Sequence, residues 1–120
     1  MKKLHKSLSK RTNCPIATTL DVVGDKWTLL IIRDIGLFDK HKNKDFQEAG
    51  ENIPTNILAN RLKLLVDVGL VEKRQYQNNP PRHKYYLTEA GSGLLPIIKS
   101  IAVWAEKNIN GIEIPKFNSL

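Results

Sequence analysis

Asn56, Asn60 and Lys63 stand four and three residues apart in the stretch IPTNILANRLKLLVDVGLVEKR, residues 53–74. On a helix that spacing places all three on one face, while Leu58, Leu62 and Leu65 recur on another. An ordinary solvated helix face carries Glu and Lys; this one offers amides and an amine. A carboxamide presents one acceptor and two donors, and an ammonium presents three donors. Such groups suit the mixed donor and acceptor edges of base pairs in the major groove of B-DNA, which admits a helix. Thr55 and Ala59 flank the row, with a hydroxyl suited to phosphate and a methyl suited to thymine. A carboxylate here would repel phosphate, and the face has none before Asp67 on the last turn.

A second group of candidates follows Gly69, where the apolar period changes from helical to two. LVEKRQYQ places Leu70, Glu72, Arg74 and Tyr76 on one side and Val71, Lys73 and Gln75 on the other. NNPPR is a turn by its chemistry, since Asn tolerates left-handed backbone and prolines stop sheet pairing. HKYYLT returns as a second strand. Arg82 at the tip, supported by Lys73, Arg74 and Lys84, is placed to reach a minor groove or phosphate backbone, with Gln77, Asn78 and Asn79 adding polar reach. The competing reading of this hairpin is a solvated turn with incidental charges.

These side chains need elements to hold them. Pro15 suits a first helical turn, with Ile16, Leu20 and Val23 at helical spacing and Gly24 as a break. Asp25 is placed to cap a second helix carrying Trp27, Leu30, Ile31 and Ile35, with Gly36 as its end. Trp27 reads most simply as a core aromatic, with a pocket wall as the alternative. KDFQEAG predicts a two-turn helix burying Phe46 and Ala49, stopped at Gly50. With the helix at about 54–68, it makes a helix-turn-helix. Thr88 predicts the N-cap of one long helix, whose Leu94, Leu95, Ile97, Ile98, Ile101, Ala102, Trp104 and Ala105 form a broad apolar stripe. Pro96 should bend it. The stripe exceeds what a terminal helix needs on a small core, so part of it should meet a second subunit. Residues 1–13 read as a basic arm, 14–108 as the domain and 109–120 as a tail.

The chain has 120 residues, one domain's worth, and a formal charge of +7 that points toward a polyanionic partner. No apolar run is long enough to span a bilayer. The basic start has no long apolar core and is not read as a secretory signal. The single Cys14 leaves no internal disulfide and no thiolate cluster, which suits a reducing compartment; a cytoplasmic protein is expected. No catalytic residue, metal site or cofactor is predicted: His5, His41 and His83 lack ligand spacing, and there is no phosphate-binding glycine loop.

In order, these elements describe a mainly α fold with a small β-hairpin wing: a winged helix-turn-helix, the hairpin at about 70–88. At this point the residues acquire a specific resemblance. CPI…TLDVVGDKWTLLIIRDI, KDFQE, LANRLKLLVDVGLVEKR and PPRHKYYLTEAGSGLLPII, spread over roughly residues 14–107, resemble the successive blocks of the HxlR-type transcriptional regulators, a winged-helix family related to the MarR group. Ala59 departs from a usual Thr, Ala49 from Leu and Val66 from Glu. The resemblance implies a homodimeric, double-stranded-DNA-binding regulator in bacterial cytosol, bound to a palindromic operator whose half-sites lie about one helical turn apart. The first and last helices would form the dimer, through Ile16, Leu20, Leu94, Ile97, Ile98, Ile101, Trp104 and Ala105. Some members sense quinones, aldehydes, hypochlorite or disulfide stress through an N-terminal cysteine. Cys14, ahead of Pro15 and near Lys10 and Arg11, has a setting that favours thiolate. The alternatives are an inert packing thiol, a small-molecule effector between the dimer helices, or a winged helix that binds protein instead of DNA.

Overall fold

The computed structural model describes residue 4 and residues 11–114. Most of the basic arm, including Lys2, Lys3, Lys6 and Lys10, and the end of the tail lie outside the described residues. The order is α1 (Pro15–Val23), α2 (Thr28–Leu37), α3 (Asn43–Gln47), α4 (Thr55–Val68), β1 (Val71–Asn78), β2 (Pro81–Leu87), α5 (Glu89–Ser92) and α6 (Leu95–Asn108).

The middle of the molecule is α2. Its Ile31, Ile32, Ile35 and Leu37 are buried, together with Phe46 of α3, Leu58, Leu62, Leu65 and Val68 of α4, Val71 of β1 and Ile98 of α6. Asp25 supplies the missing cap of α2: its carboxylate accepts from the Trp27 N–H at 3.0 Å and the Thr28 N–H at 3.1 Å, and from the Thr28 hydroxyl. Gly36 does not end α2, which runs on to Leu37. Leu87 of β2 and Leu95 of α6 come so close that a Cβ at Gly36 would lie 2.6–2.7 Å from their methyls. The glycine makes room for two neighbours and does not terminate a helix.

Trp27 is half-buried, not a core residue, with the Lys26 ammonium 4.9 Å from its ring centroid. The cavity it lines with Ile31 and Phe46 holds about 10 Å³, enough for one water at most. It packs the domain and has no room for a ligand.

α3 is a single turn that buries Phe46 and ends at Gln47, short of Ala49 and Gly50. α4 begins after Pro54 and stops at Gly69, whose φ of 93° is the left-handed conformation glycine adopts without strain. The Leu70 N–H returns to the Leu65 carbonyl at 2.9 Å and closes the helix end. The chain then enters β1, which pairs antiparallel with β2 from Val71↔Leu87 to Asn78↔Pro81. A β-bulge between Gln75 and Gln77 leaves Tyr76 without a cross-strand partner. Strict alternation therefore fails at Tyr76.

The predicted long C-terminal helix is two helices. Thr88 caps α5, its hydroxyl accepting from the Gly91 N–H at 3.2 Å. Gly93 and Leu94 form the turn between them, and Pro96 sits in the first turn of α6, where no backbone donor is needed. The proline starts a helix here and does not bend one.

Gly91 lies flat against the backbone of Leu70, and a Cβ there would run into the Leu70 carbonyl oxygen. Gly91→Ala should destabilise the fold by about 1–3 kcal/mol, seen as a lower urea midpoint at unchanged slope.

Candidate nucleic-acid interface

Burying Leu58, Leu62, Leu65 and Val68 fixes the rotation of α4. Thr55, Asn56, Ala59, Asn60 and Lys63 consequently all face solvent. Lys63 reaches Asp67 at 2.7 Å along the helix surface. Exposed pairs of this kind are worth a few tenths of a kcal/mol, so the ammonium exchanges partners readily.

The Asn60 carboxamide is not free at both ends. Its Oδ1 accepts from Arg61 Nε at 3.1 Å and Nη2 at 2.6 Å. Arg61 in turn places Nη1 3.6 Å from the Asp25 carboxylate. Burial by itself would raise the Asp25 carboxyl, but the hydrogen bonds from Thr28 and Trp27 and the charge of Arg61 outweigh it and hold the group below its ordinary value. Arg61 was absent from the sequence-predicted set. It belongs to neither the exposed row nor the apolar stripe of its helix, and its partner Asp25 lies in another element.

A second polar contact ties the turn of the helix-turn-helix to α2. Arg33 on α2 reaches Asp34 at 2.8 Å and Glu51, in the turn ahead of α4, at 2.9 Å. The hydrogen bond from Arg33 lowers the Glu51 carboxyl, whereas burial raises that of Asp34 despite the same guanidinium.

The wing is docked through His41 in the loop between α2 and α3. Its carbonyl accepts from the Tyr85 N–H at 2.8 Å, its Nδ1 donates to the Tyr85 carbonyl at 2.9 Å, and its ring stacks on Tyr86 at 4.6 Å. The four basic wing residues divide. Arg74 pairs with Glu72 at 3.1 Å and lies over the Tyr86 ring at 4.2 Å. Lys73 and Arg82 line a cleft of about 370 Å³ between α3 and the wing, together with Lys42, Lys44, Tyr76 and His83. The Lys84 ammonium sits 5.1 Å from the Tyr76 ring. Lys42, Lys44 and Tyr76 carry no signal of this in the sequence, because the cleft joins separate elements and the bulge re-aims Tyr76.

Cys14 is exposed at the N-cap of α1. Arg11, expected to lend it positive charge, is held by Asp21 at 2.9 Å. Of the apolar residues assigned to a partner subunit, Ile16, Leu20, Ile97, Ile101 and Trp104 are exposed, Trp104 by 61%. Ile98 is instead part of the protomer's own core, and Leu94 packs half-buried against it; both turn inward because α6 needs one face for α2. Ala105 is half-buried. Among the described residues no group of three His, Cys, Asp or Glu is placed to hold a metal ion, and no helix is long and apolar enough to cross a membrane.

A helix-turn-helix with an outward polar row on its second helix, followed by an antiparallel wing, is the winged helix-turn-helix of transcriptional regulators. The chain belongs to the HxlR-like helix-turn-helix family, whose pattern it matches over residues 22–113. An uncharacterized helix-turn-helix-type transcriptional regulator of Mycobacterium tuberculosis is 35% identical over 100 residues, 83% of this chain and 62% of its own length. The chain thus spans about three fifths of that relative. A structure assigned to the MarR family of transcriptional regulators, from Porphyromonas gingivalis W83, superposes with a TM-score of 0.73 at 34% identity, over 87% of this chain and all of the other. The redox regulator HypR in its oxidised form does so with a TM-score of 0.68 at 32% identity, over 79% of this chain and 97% of its own.

Asp25→Ala should cost about 0.5–2 kcal/mol through the lost cap. The lowered carboxyl contributes in full above its ordinary value of about 4, and that contribution is lost as pH falls through the lowered one. The stability gap between wild type and variant, read by urea unfolding, should be widest near neutrality and narrow toward pH 3.

Proposed function

We propose that the protein is a sequence-specific DNA-binding regulator of transcription, laying the exposed row of α4 in the major groove and the wing on the adjacent backbone or minor groove. One observation carries this reading: Thr55, Asn56, Ala59, Asn60 and Lys63 are all exposed on a helix whose other side is fully buried. Membership of a family of transcriptional regulators supports it. Two copies would join through the exposed Ile16 and Leu20 of α1 and Ile97, Ile101 and Trp104 of α6, and read a palindrome with half-sites about 34 Å apart. A role in the bacterial cytoplasm follows from the same reading. A winged helix used for protein contacts alone would have no need of this amide row.

The contacts of Asn60 sharpen the expected readout. With both Oδ1 contacts taken by Arg61, the amide turns its two N–H donors outward. A pure donor suits guanine N7 and O6 or thymine O4, whereas reading adenine bidentately needs the oxygen as well. Selection of bound duplexes from a random pool should return a palindrome with guanine or thymine at the Asn60 position. Asn60→Ala should flatten that one position by about 1–3 kcal/mol, Arg61→Ala should admit adenine there, and Arg82→Ala should weaken all sequences alike with a shallower salt dependence. A non-palindromic or featureless pool would remove the reading.

For the signal, HypR is a redox regulator, and Cys14 offers an exposed thiol. With one cysteine per chain, a disulfide would join two chains: diamide takes two electrons and two protons from a pair of Cys14 thiols. A small-molecule effector at the dimer interface is the rival. Diamide should give a reducible double-mass band on a denaturing gel and change operator affinity, and Cys14→Ser should abolish both. An unchanged affinity in oxidised wild type would leave the effector reading.

A further inference from the structure

The outer edge of β2 is closed by one residue. β1 and β2 form a two-stranded sheet, so each strand has a side with no neighbouring strand to pair with. On β2, Tyr85 gives its N–H to the His41 carbonyl at 2.8 Å, and its own carbonyl receives His41 Nδ1 at 2.9 Å. The other ring nitrogen, Nε2, lies 2.7 Å from an Asp39 carboxylate oxygen. Asp39 holds φ at 55°, in the left-handed region that Asp occupies more readily than most residues.

Both partners of the ring are acceptors. A peptide carbonyl has no proton to give, and neither has a carboxylate. The doubly protonated imidazolium satisfies the two at once, whereas a neutral imidazole has a single N–H and satisfies only one. Asp39 is exposed and water screens its charge, yet the carbonyl it competes with is neutral. A charge-assisted hydrogen bond is about twice as strong as a neutral one, so the carboxylate keeps the remaining proton on Nε2. Nδ1 then turns a lone pair on the Tyr85 carbonyl, and the wing loses that tie.

The surroundings leave this competition in place. Asp45 of α3 accepts from the His41 and Lys42 N–H groups at 3.4 and 3.2 Å, which fixes the loop to α3 whatever the charge on the ring. The Lys42 ammonium is drawn off to the Tyr76 ring, 5.2 Å away. Tyr86 stacks on the imidazole at 4.6 Å, and an aromatic face favours the cation. Arg74, 4.2 Å from the same Tyr86 ring, opposes it but is paired with Glu72 at 3.1 Å. Burial pushes the Tyr85 phenol up, so it stays neutral.

We propose that His41 is a proton-operated latch that positions the wing. As the imidazolium it ties β2 to the loop between α2 and α3 through both ring nitrogens. On losing a proton it gives up the Tyr85 carbonyl and keeps Asp39. Histidine side chains change charge between about pH 5 and 8, so the wing is fastened on the acid side of that range and loosened on the alkaline side. The consequence for DNA rests on the proposed contact of the wing with the operator: affinity falls as pH rises.

The test follows the free protein and the operator selected from the random pool from about pH 5.5 to 8. Nitrogen NMR of the His41 ring reports which nitrogen carries the proton, and the neutral form should keep Nε2–H. Exchange of the Tyr85 amide, corrected for its intrinsic pH dependence, should quicken about two- to tenfold over the range, the size of one hydrogen bond. In Asp39→Asn the partner amide can donate to Nε2, so the neutral ring keeps Nδ1–H and Tyr85 exchange should stay flat. His41→Gln, with no second proton to lose, should be flat as well. Operator affinity of wild type should fall by a similar factor relative to Asp39→Asn. Both proteins retain His5 and His83, so the difference between their pH profiles reports His41. A neutral wild-type ring carrying Nδ1–H overturns the latch. So does Tyr85 exchange that responds equally to pH in Asp39→Asn. If ring and amide respond as expected while the two affinities run parallel, the latch stands and the wing's place on the DNA fails.

Discussion

Everything at the surface of this domain follows from the burial of one stripe. Leu58, Leu62, Leu65 and Val68 of α4 are each exposed by 4% or less against α2 and its neighbours. Fully burying a leucine is worth about 1.5–3 kcal/mol, so turning α4 about its axis would forfeit several such contributions together. The amide row faces outward because the apolar row cannot. The outward direction of both Asn56 and Asn60 is a by-product of hydrophobic packing; Arg61 then holds the Asn60 oxygen and leaves its N–H donors outward.

Polar contacts then decide what packing leaves loose. Two carboxylate–guanidinium links fasten α4: Glu51 to Arg33 ahead of the helix, and Asp25 to Arg61 at its middle. Both tie α4 to α2 or its cap. The Asp25 carboxylate also closes the N-terminus of α2, so the same group that starts the central helix positions Arg61, and through it Asn60. A guanidinium with planar, forked donors can serve a carboxylate and an amide at once, which a lysine cannot do in fixed geometry.

Much of this was legible in the sequence, and the misses share a cause. Periodicity located α4, the two wing strands and the helix-turn-helix order, because period 3.6 and period 2 are local signals. Asp25 and Thr88 were read correctly as caps from their type and place. Gly36 and Pro96 were misread, because a glycine that ends a helix and one that admits two leucines look alike until the neighbours are known. The same holds for proline that bends a helix and proline that begins one. Ile98 looked like a partner contact because a stripe that wraps past one face gives no sign of which part meets its own core. Tyr76 changed sides at a bulge that no alternation rule foresees. The cleft residues were invisible for the plainest reason: α3 and the wing meet only in three dimensions.

Gly36 shows how closely the wing and the C-terminal helix are bound to one another. Leu87 at the end of β2 and Leu95 at the start of α6 both press against this one position on α2. α6 carries the exposed Ile97, Ile101 and Trp104 on one side and the buried Ile98 on the other. A displacement of α6 would therefore reach α2 at the same point where the wing rests. Close-packed interiors respond to such displacement by shifting neighbours as units, since they contain little free volume to absorb it. The missing Cβ at Gly36 is what lets Leu87 of the wing and Leu95 of α6 meet on α2 at a single position.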